Sequence, residues 1–353
     1  MRGMLVLWPE TRPYRYTSDG DPSLNLRGFL RLFTHIQLLP ILESGEETTL
    51  VGGQAVMEGV MMRSPHSYCV AVRKASGEIV TEEKPLAKLS DRHPAFKLPV
   101  LRGVGTLCQA MWLGMKALHF SANNLVEDLD GDKAPKQGKK EMSSWAMWAN
   151  VGFSLAFFIF LYKFVPLYLA TWFGHIVPAA GSRFGINMVD GIIRLALFLG
   201  FLYLISRMKD IRRVFEYHGA EHKVVFNFES GKPVTVENAQ QFVTWHPRCG
   251  TSFLLVVMVI AMVIYALLPF DSFTAKFIAR IALLPVIIGV SYELIRFAAK
   301  HRQGLMAVLT QPGLWLQRIT TQPPSNEQAE VAIYALNHAM ELERAQGGEL
   351  VIA

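Results

Sequence analysis

Ser252-Phe253-Leu254-Leu255-Val256-Val257-Met258-Val259-Ile260-Ala261-Met262-Val263-Ile264-Tyr265-Ala266-Leu267-Leu268-Pro269 carries no charged side chain. A helix needs roughly 20 apolar residues to cross about 30 Å of hydrocarbon, and this stretch comes close to that length. Three other stretches are alike, at 146–172, 189–206 and 277–298. Phe153, Phe157, Phe158 and Phe160 enrich the first of these, which Lys163 and Pro166 interrupt. Buried core helices of a soluble protein are the rival explanation, and four such runs so close together argue against it. The expected fold is an α-helical integral membrane protein of about four transmembrane helices with a small cytoplasmic β-containing element.

Composition agrees. Of 353 residues, 51% are hydrophobic and only 18% charged, against about 25% charged in soluble domains. The net charge of +6 suits an anionic partner, either nucleic acid or a membrane surface. No interleaving of Arg and aromatic residues of the RNA-binding sort is present, so a bilayer is expected and nucleic acid is not. Cys69, Cys108 and Cys249 are few, odd in number and far apart, which excludes a disulfide scaffold.

Basic residues set the orientation. Lys133, Lys136, Lys139 and Lys140 precede the first span. Arg207, Lys209, Arg212, Arg213, Lys223, Lys232 and Arg248 lie between the second and third, and Arg296, Lys300 and Arg302 lie at or beyond the end of the fourth. The other two loops offer only Arg183 and Lys276. Both termini and the 207–251 loop are therefore expected in the cytoplasm.

Residues 1–50, with Pro9, Pro13, Pro22 and Pro40 and little periodicity, read as a disordered leader or a start-site extension. Residues 51–99 read as a cytoplasmic β-hairpin element, with the hairpin turning at Ala75-Ser76-Gly77. In 100–124, Val104, Leu107, Met111 and Leu118 recur at helical spacing. That amphipathic helix lies in the interface, packs on the spans or forms a fifth crossing. Residues 299–324 read as an interfacial segment broken at Pro312-Gly313, and 325–353 as a C-terminal amphipathic helix and tail. Ser325 with Gln328 starts that helix, and Ile333, Leu336 and Met340 mark its apolar face. No pair of broken helices stands out, which places a transporter last among the functions.

Chemistry concentrates in the 207–251 loop. His218-Gly219-Ala220-Glu221-His222 has the His-x-x-Glu-His spacing of inverted zincins, in which two imidazoles one helical turn apart hold a metal and the Glu is general base. Gly219 weakens such a helix by about 1 kcal/mol. His246-Pro247-Arg248-Cys249 adds a second imidazole–thiol pair just before the third span. His218, His222, His246 and Cys249 are the candidate metal ligands, Zn²⁺ the candidate ion and Glu221 the candidate catalytic residue. Four ligands would make a closed structural site; three would leave a position for water. Solvated histidines on a surface helix are the plain alternative. Glu293, near the cytoplasmic end of the fourth span, needs a partner: either Arg296 at i+3 or the His cluster. Lys163 and Arg194 are expected to snorkel or to pair within the bundle. Glu58 and Arg63 flank a Gly-rich block, and a hairpin salt bridge explains them as well as function does. That block lacks the order of a nucleotide-binding loop.

Four blocks resemble the signature of the YqhQ-like family. They are Gly52-Gly53-Gln54-Ala55-Val56-Met57-Glu58-Gly59-Val60-Met61-Met62-Arg63, Leu101-Arg102-Gly103, Tyr217-His218-Gly219-Ala220-Glu221-His222-Lys223 and His246-Pro247-Arg248-Cys249-Gly250-Thr251-Ser252-Phe253. The resemblance covers 51–324 and leaves the leader and tail outside. It implies a bacterial multi-pass protein of the cytoplasmic membrane, of unknown function and described as a predicted metal-dependent enzyme.

Two functions are expected from different classes. One is a metal-dependent hydrolase working from the cytoplasm or inner leaflet. The other is a non-enzymatic scaffold or assembly factor for membrane proteins, docked on them or on anionic lipid, with a structural His/Cys cluster. Substrate and oligomeric state stay open.

Overall fold

The computed structural model describes residues 51–87, 94–130, 144–246, 249–300 and 305–346. The leader at 1–50, most of the linker before the first apolar helix, Pro247 and Arg248 lie outside the described residues. The chain is mostly helical with one small sheet. Four strands, β1 (Gly52–Val56), β2 (Gly59–Arg63), β3 (Ser67–Arg73) and β4 (Ile79–Pro85), form an antiparallel meander in sequence order. The helices are α1 (Leu101–Asp130), α2 (Ser144–Ile159), α3 (Val165–Ile176), α4 (Arg183–Ile205), α5 (Lys209–Glu229), α6 (Val236–Gln240), α7 (Gly250–Ala266), α8 (Phe273–Ala282), α9 (Leu284–Lys300), α10 (Leu305–Thr320) and α11 (Asn326–Ala345).

The expected hairpin is β3–β4, paired from Ser67↔Pro85 to Arg73↔Ile79. The Gly-rich block supplies two further strands in front of it. β2 and β3 are apolar at nearly every position because both faces of the sheet are covered. Side chains alternate across a strand. Val60 and Met62 with Cys69 and Ala71 face α5 and α11. Met61 with Tyr68, Val70 and Val72 faces Leu113 and Ala117 of α1. The module is thus a sheet between helices. β1 and β2 are joined through Glu58, a non-glycine residue in the left-handed region at φ 52°.

α11 closes this module. Ser325 caps it, its Oγ accepting from the Gln328 N–H at 3.3 Å while Gln328 Oε1 accepts from the Ser325 N–H at 2.8 Å. Leu336 and Met340, expected on its apolar face, are buried against the sheet together with Ala332, Ala335 and Ala339. In α1 both sides are apolar. Leu113, Ala117 and Ser121 are buried, whereas Met111 and Leu118 are exposed beside Trp112 and Met115. The expected face, with Met111 and Leu118, is thus the one turned away from the sheet.

The remaining helices pack on one another. α2, a π-helical turn (Phe160–Phe164) and α3 run on continuously. Gly152–Ile176 and Arg183–Ile205 are each long and apolar enough to cross a membrane by length and composition. α7 is shorter, at 17 residues. The expected fourth span is divided, α8 and α9 being bent by 51°. Pro285 at the start of α9 lacks the N–H that would have continued the ladder. One broken pair is therefore present where none was expected. Conversely, the break expected at Pro312 does not occur: α10 runs through it. Gly313 lies there against Ser252, which a Cβ would approach to 2.6 Å.

Candidate metal centre

α5 leaves the apolar helix α4 after a short turn and presents His218 and His222 one helical turn apart. Their rings lie 4.4 Å apart. The chain returns through α6 to Cys249, the N-cap residue of α7. One donor atom each from His218, His222 and Cys249 lies within 4.8 Å of the others. His218 Nε2 is 3.2 Å from Cys249 Sγ.

Both imidazoles are held by their other nitrogen. His218 Nδ1 lies 2.8 Å from the Thr320 carbonyl oxygen, and His222 Nδ1 bonds the Thr244 carbonyl. A carbonyl accepts only, so each Nδ1 carries the proton and each Nε2 presents a lone pair. This is the arrangement by which outer hydrogen bonds orient metal-binding histidines. His222 is buried, and burial pushes its pKa down, against the nearby Cys249, which raises it. The neutral ring is the ligand form.

Gly219 has a specific reason to lie between the histidines. A Cβ there would overlap the Gln322 carbonyl oxygen, and the Gln322 N–H donates to the Phe215 carbonyl at 2.9 Å. The close approach of these backbones brings the Thr320 carbonyl to His218. Gly53 does the same for Glu221: a Cβ on Gly53 would lie 2.7 Å from Glu221 Cγ. Glu221 is buried with Oε2 3.4 Å from His222 Nε2.

His246 lies one layer away. Its ring is 5.6 Å from that of His222, and its Nε2 lies 3.5 Å from Glu229 Oε2. Gln317 clamps its backbone, accepting from the His246 N–H at 2.7 Å and donating to the His246 carbonyl at 2.8 Å. The three-donor group thus draws on His218, His222 and Cys249. Glu229 and Gln317 were missed in the sequence, where nothing marks them apart from other surface polar residues.

The other candidates are elsewhere. The hydrogen-bonded partner of Glu293 is neither Arg296, whose charge also acts on it, nor the His cluster. Arg102 of α1 grips it, with Nε donating to Oε1 at 2.6 Å and Nη2 bonding Oε2. Glu58 pairs not with Arg63 but with Arg213 of α5, whose Nη2 donates to Oε2 at 2.6 Å. The Tyr217 hydroxyl adds a bond to the same oxygen at 3.3 Å. This ties the β1–β2 turn to the His helix. Arg63 ends β2 near Tyr292, and burial lowers its pKa. Sequence reasoning also missed Asp190, Asn187 and Arg280, which sit buried among the apolar helices. A charge inside an apolar run is the signal for the first and last of these.

A family model described as "Protein of unknown function (DUF1385)" matches residues 98–342. The match runs through most of α11, so the tail expected to lie outside the family belongs largely within it. The Bacillus subtilis "Uncharacterized protein YqhQ" is 37% identical over 298 residues, covering 83% of this chain and 92% of the relative. No solved structure matches the chain. The chain belongs to this YqhQ-like family of proteins of unknown function.

Proposed function

We propose that the chain is a multi-pass protein of the bacterial cytoplasmic membrane carrying a divalent-metal hydrolase centre on its cytoplasmic side. The observation that carries the reading is the convergence of His218, His222 and Cys249, with both Nδ1 atoms anchored on backbone carbonyls. Two nitrogens and a sulfur suit Zn²⁺, and three protein ligands leave one position for water. Bound there, Zn²⁺ would lower the pKa of that water toward about 7. Glu221, beside His222, is placed to take the proton.

Location supports a membrane-surface substrate. Cys249 caps an apolar helix. Trp245 and Trp315 flank Arg318, whose guanidinium lies 5.0 and 5.7 Å from their rings. Indole and guanidinium groups of this kind gather where bilayer meets water. The exposed Met111, Trp112, Met115 and Leu118 of α1 form a second apolar face suited to the same interface. The substrate class that follows is a lipid head group or a membrane-bound peptide reached from the cytoplasm.

The same cluster would also serve a non-enzymatic scaffold, because it knits α5 to α7 and to the 320–322 segment. Glu221→Gln separates the two readings. An enzyme loses complementation of the deletion strain while keeping its metal; a scaffold keeps both. Charge reversal at Arg213 is no test of docking, since it breaks the internal Glu58 pair.

A further inference from the structure

The interior of the helical bundle holds more positive than negative charge. Asp190 of α4 accepts from Arg194 Nη2 at 2.9 and 3.1 Å and from Arg280 Nη1 of α8 at 2.8 Å. Arg280 Nη2 donates to Asn187 Oδ1 at 2.5 Å. Lys163 Nζ donates to the Tyr265 hydroxyl at 3.1 Å, which donates onward to the Arg280 carbonyl at 3.0 Å. The Tyr265 ring thereby has three cations around it, Arg280 at 5.0 Å, Arg194 at 5.3 Å and Lys163 at 5.4 Å. Asp190 is the one carboxylate paired with them among the described residues, so basic groups outnumber acidic ones around Tyr265 by three to one.

Such a surplus is costly inside an apolar bundle unless an anion completes it. The donors for one are present. Among the described residues Arg194 Nε and Arg280 Nε are both buried without a hydrogen-bond partner, and Arg280 is fully buried. Guanidinium forks match the oxygens of a phosphate group. The local backbone is irregular in the way that ligand sites inside bundles are. Lys163 lies in the π-helical turn, and the α8–α9 bend follows Arg280 by a single turn. Beside that turn a groove of about 430 Å³, lined by Phe164, Tyr168, Trp172, His175 and Phe273 among others, opens to the exterior. It offers an apolar wall for the chain of an amphiphile.

We propose that Lys163, Arg194 and Arg280, gathered around Tyr265, form a phosphate-binding site within the bundle, filled by the head group of an anionic lipid or by free phosphate. The inference rests on the membrane reading but not on the metal centre.

The test uses the full chain. Alkaline carbonate extraction of membranes first decides the membrane reading by itself. Protein purified in detergent is then titrated with inorganic phosphate while its thermal midpoint is followed. In parallel it is reconstituted with phosphatidylcholine alone or with added phosphatidylglycerol, and retained lipid is read by native mass spectrometry. Lys163→Met spares every Asp190 bond, and Arg207→Gln alters an exposed cation at the bundle's end. Wild type should gain several degrees with phosphate or retain phosphatidylglycerol selectively. Lys163→Met should weaken that affinity at least about tenfold, which is about 1.4 kcal/mol, and Arg207→Gln should leave it unchanged. A shift with phosphate assigns the free ion, and retention of phosphatidylglycerol alone assigns the lipid. The site is refuted if neither ligand binds to a folded wild type that resists carbonate extraction, or if Lys163→Met binds as wild type does.

Discussion

Val60 and Leu336 of the sheet module are 0% and 1% exposed, whereas Leu204 and Leu267 of the helical bundle are 68% and 78% exposed. Several charged residues run the other way. Lys84 and Glu330 face outward in the module, while Asp190, Arg194 and Arg280 are buried in the bundle. The contrast is the one expected if water surrounds the module and hydrocarbon the bundle. Water drives apolar surface inward. Hydrocarbon gives no such drive, and instead penalises exposed charge. The bilayer reading rests on this inversion. The His218–His222–Cys249 group lies on the seam, with two donors on a helix of the water-sorted module and the third at the cap of an apolar bundle helix.

Four tests break or sharpen the contrast. The largest effect is expected from Asp190→Asn, which strands Arg194 and Arg280 without their counter-ion. Breaking a buried charge network by removing one partner costs about 3–5 kcal/mol, so a sharp fall in thermal midpoint in detergent is expected; an unchanged midpoint would dissolve the inside-polar picture. Next come paired arginine insertions on exposed apolar positions. Val259→Arg on α7 should cost about 2.5–3.5 kcal/mol of insertion and reduce the membrane-integrated fraction. Tyr334→Arg on α11 should change stability by less than about 0.5 kcal/mol. Equal effects would mean that both surfaces meet the same solvent.

Gly219→Ala comes third. The added methyl must push the Gln322 backbone away, with a cost of about 1–3 kcal/mol as for overpacking elsewhere. Because the Thr320 carbonyl moves with it, metal retention should fall more than midpoint does. The smallest effect is acid sensitivity of the α11 docking. Burial pushes the Glu343 carboxyl up, but hydrogen bonds from Ser64 and from the His66 ring and backbone hold its pKa below the usual 4.5. The Ser64 Oγ donates at 2.7 Å and the His66 N–H at 2.9 Å. A depressed carboxyl contributes stability above its unfolded value and loses it as pH falls through the folded one. Proteolytic release of α11 should therefore rise only below about pH 4.5, and Glu343→Gln should flatten that dependence.

Much of this was legible in the residues, for physical reasons. His218 and His222 share a face because a helix repeats every 3.6 residues, and the apolar runs declare themselves by length. Ser325 and Gln328 form a cap wherever a helix starts. Other features depend on where distant segments meet. The His246 backbone is held by Gln317, some seventy residues on. Gly219 looked like a flaw in the helix until the Gln322 carbonyl stood against it. Arg280 finds Asp190 ninety residues away, and no local pattern announces that pairing. In the Gly-rich block Gly53 is a poor strand former kept in place by the Met61 carbonyl and Glu221, which leave no room for a side chain.

The account stands most directly on metal content. The full chain, purified without chelator and with its apolar helices intact, should carry about one divalent ion per chain by elemental analysis, as a three-ligand site requires. His222→Ala and Cys249→Ser should lose that ion while remaining folded, and His246→Ala should retain it. Wild-type protein that is folded, functional in complementation and free of stoichiometric metal would contradict the account.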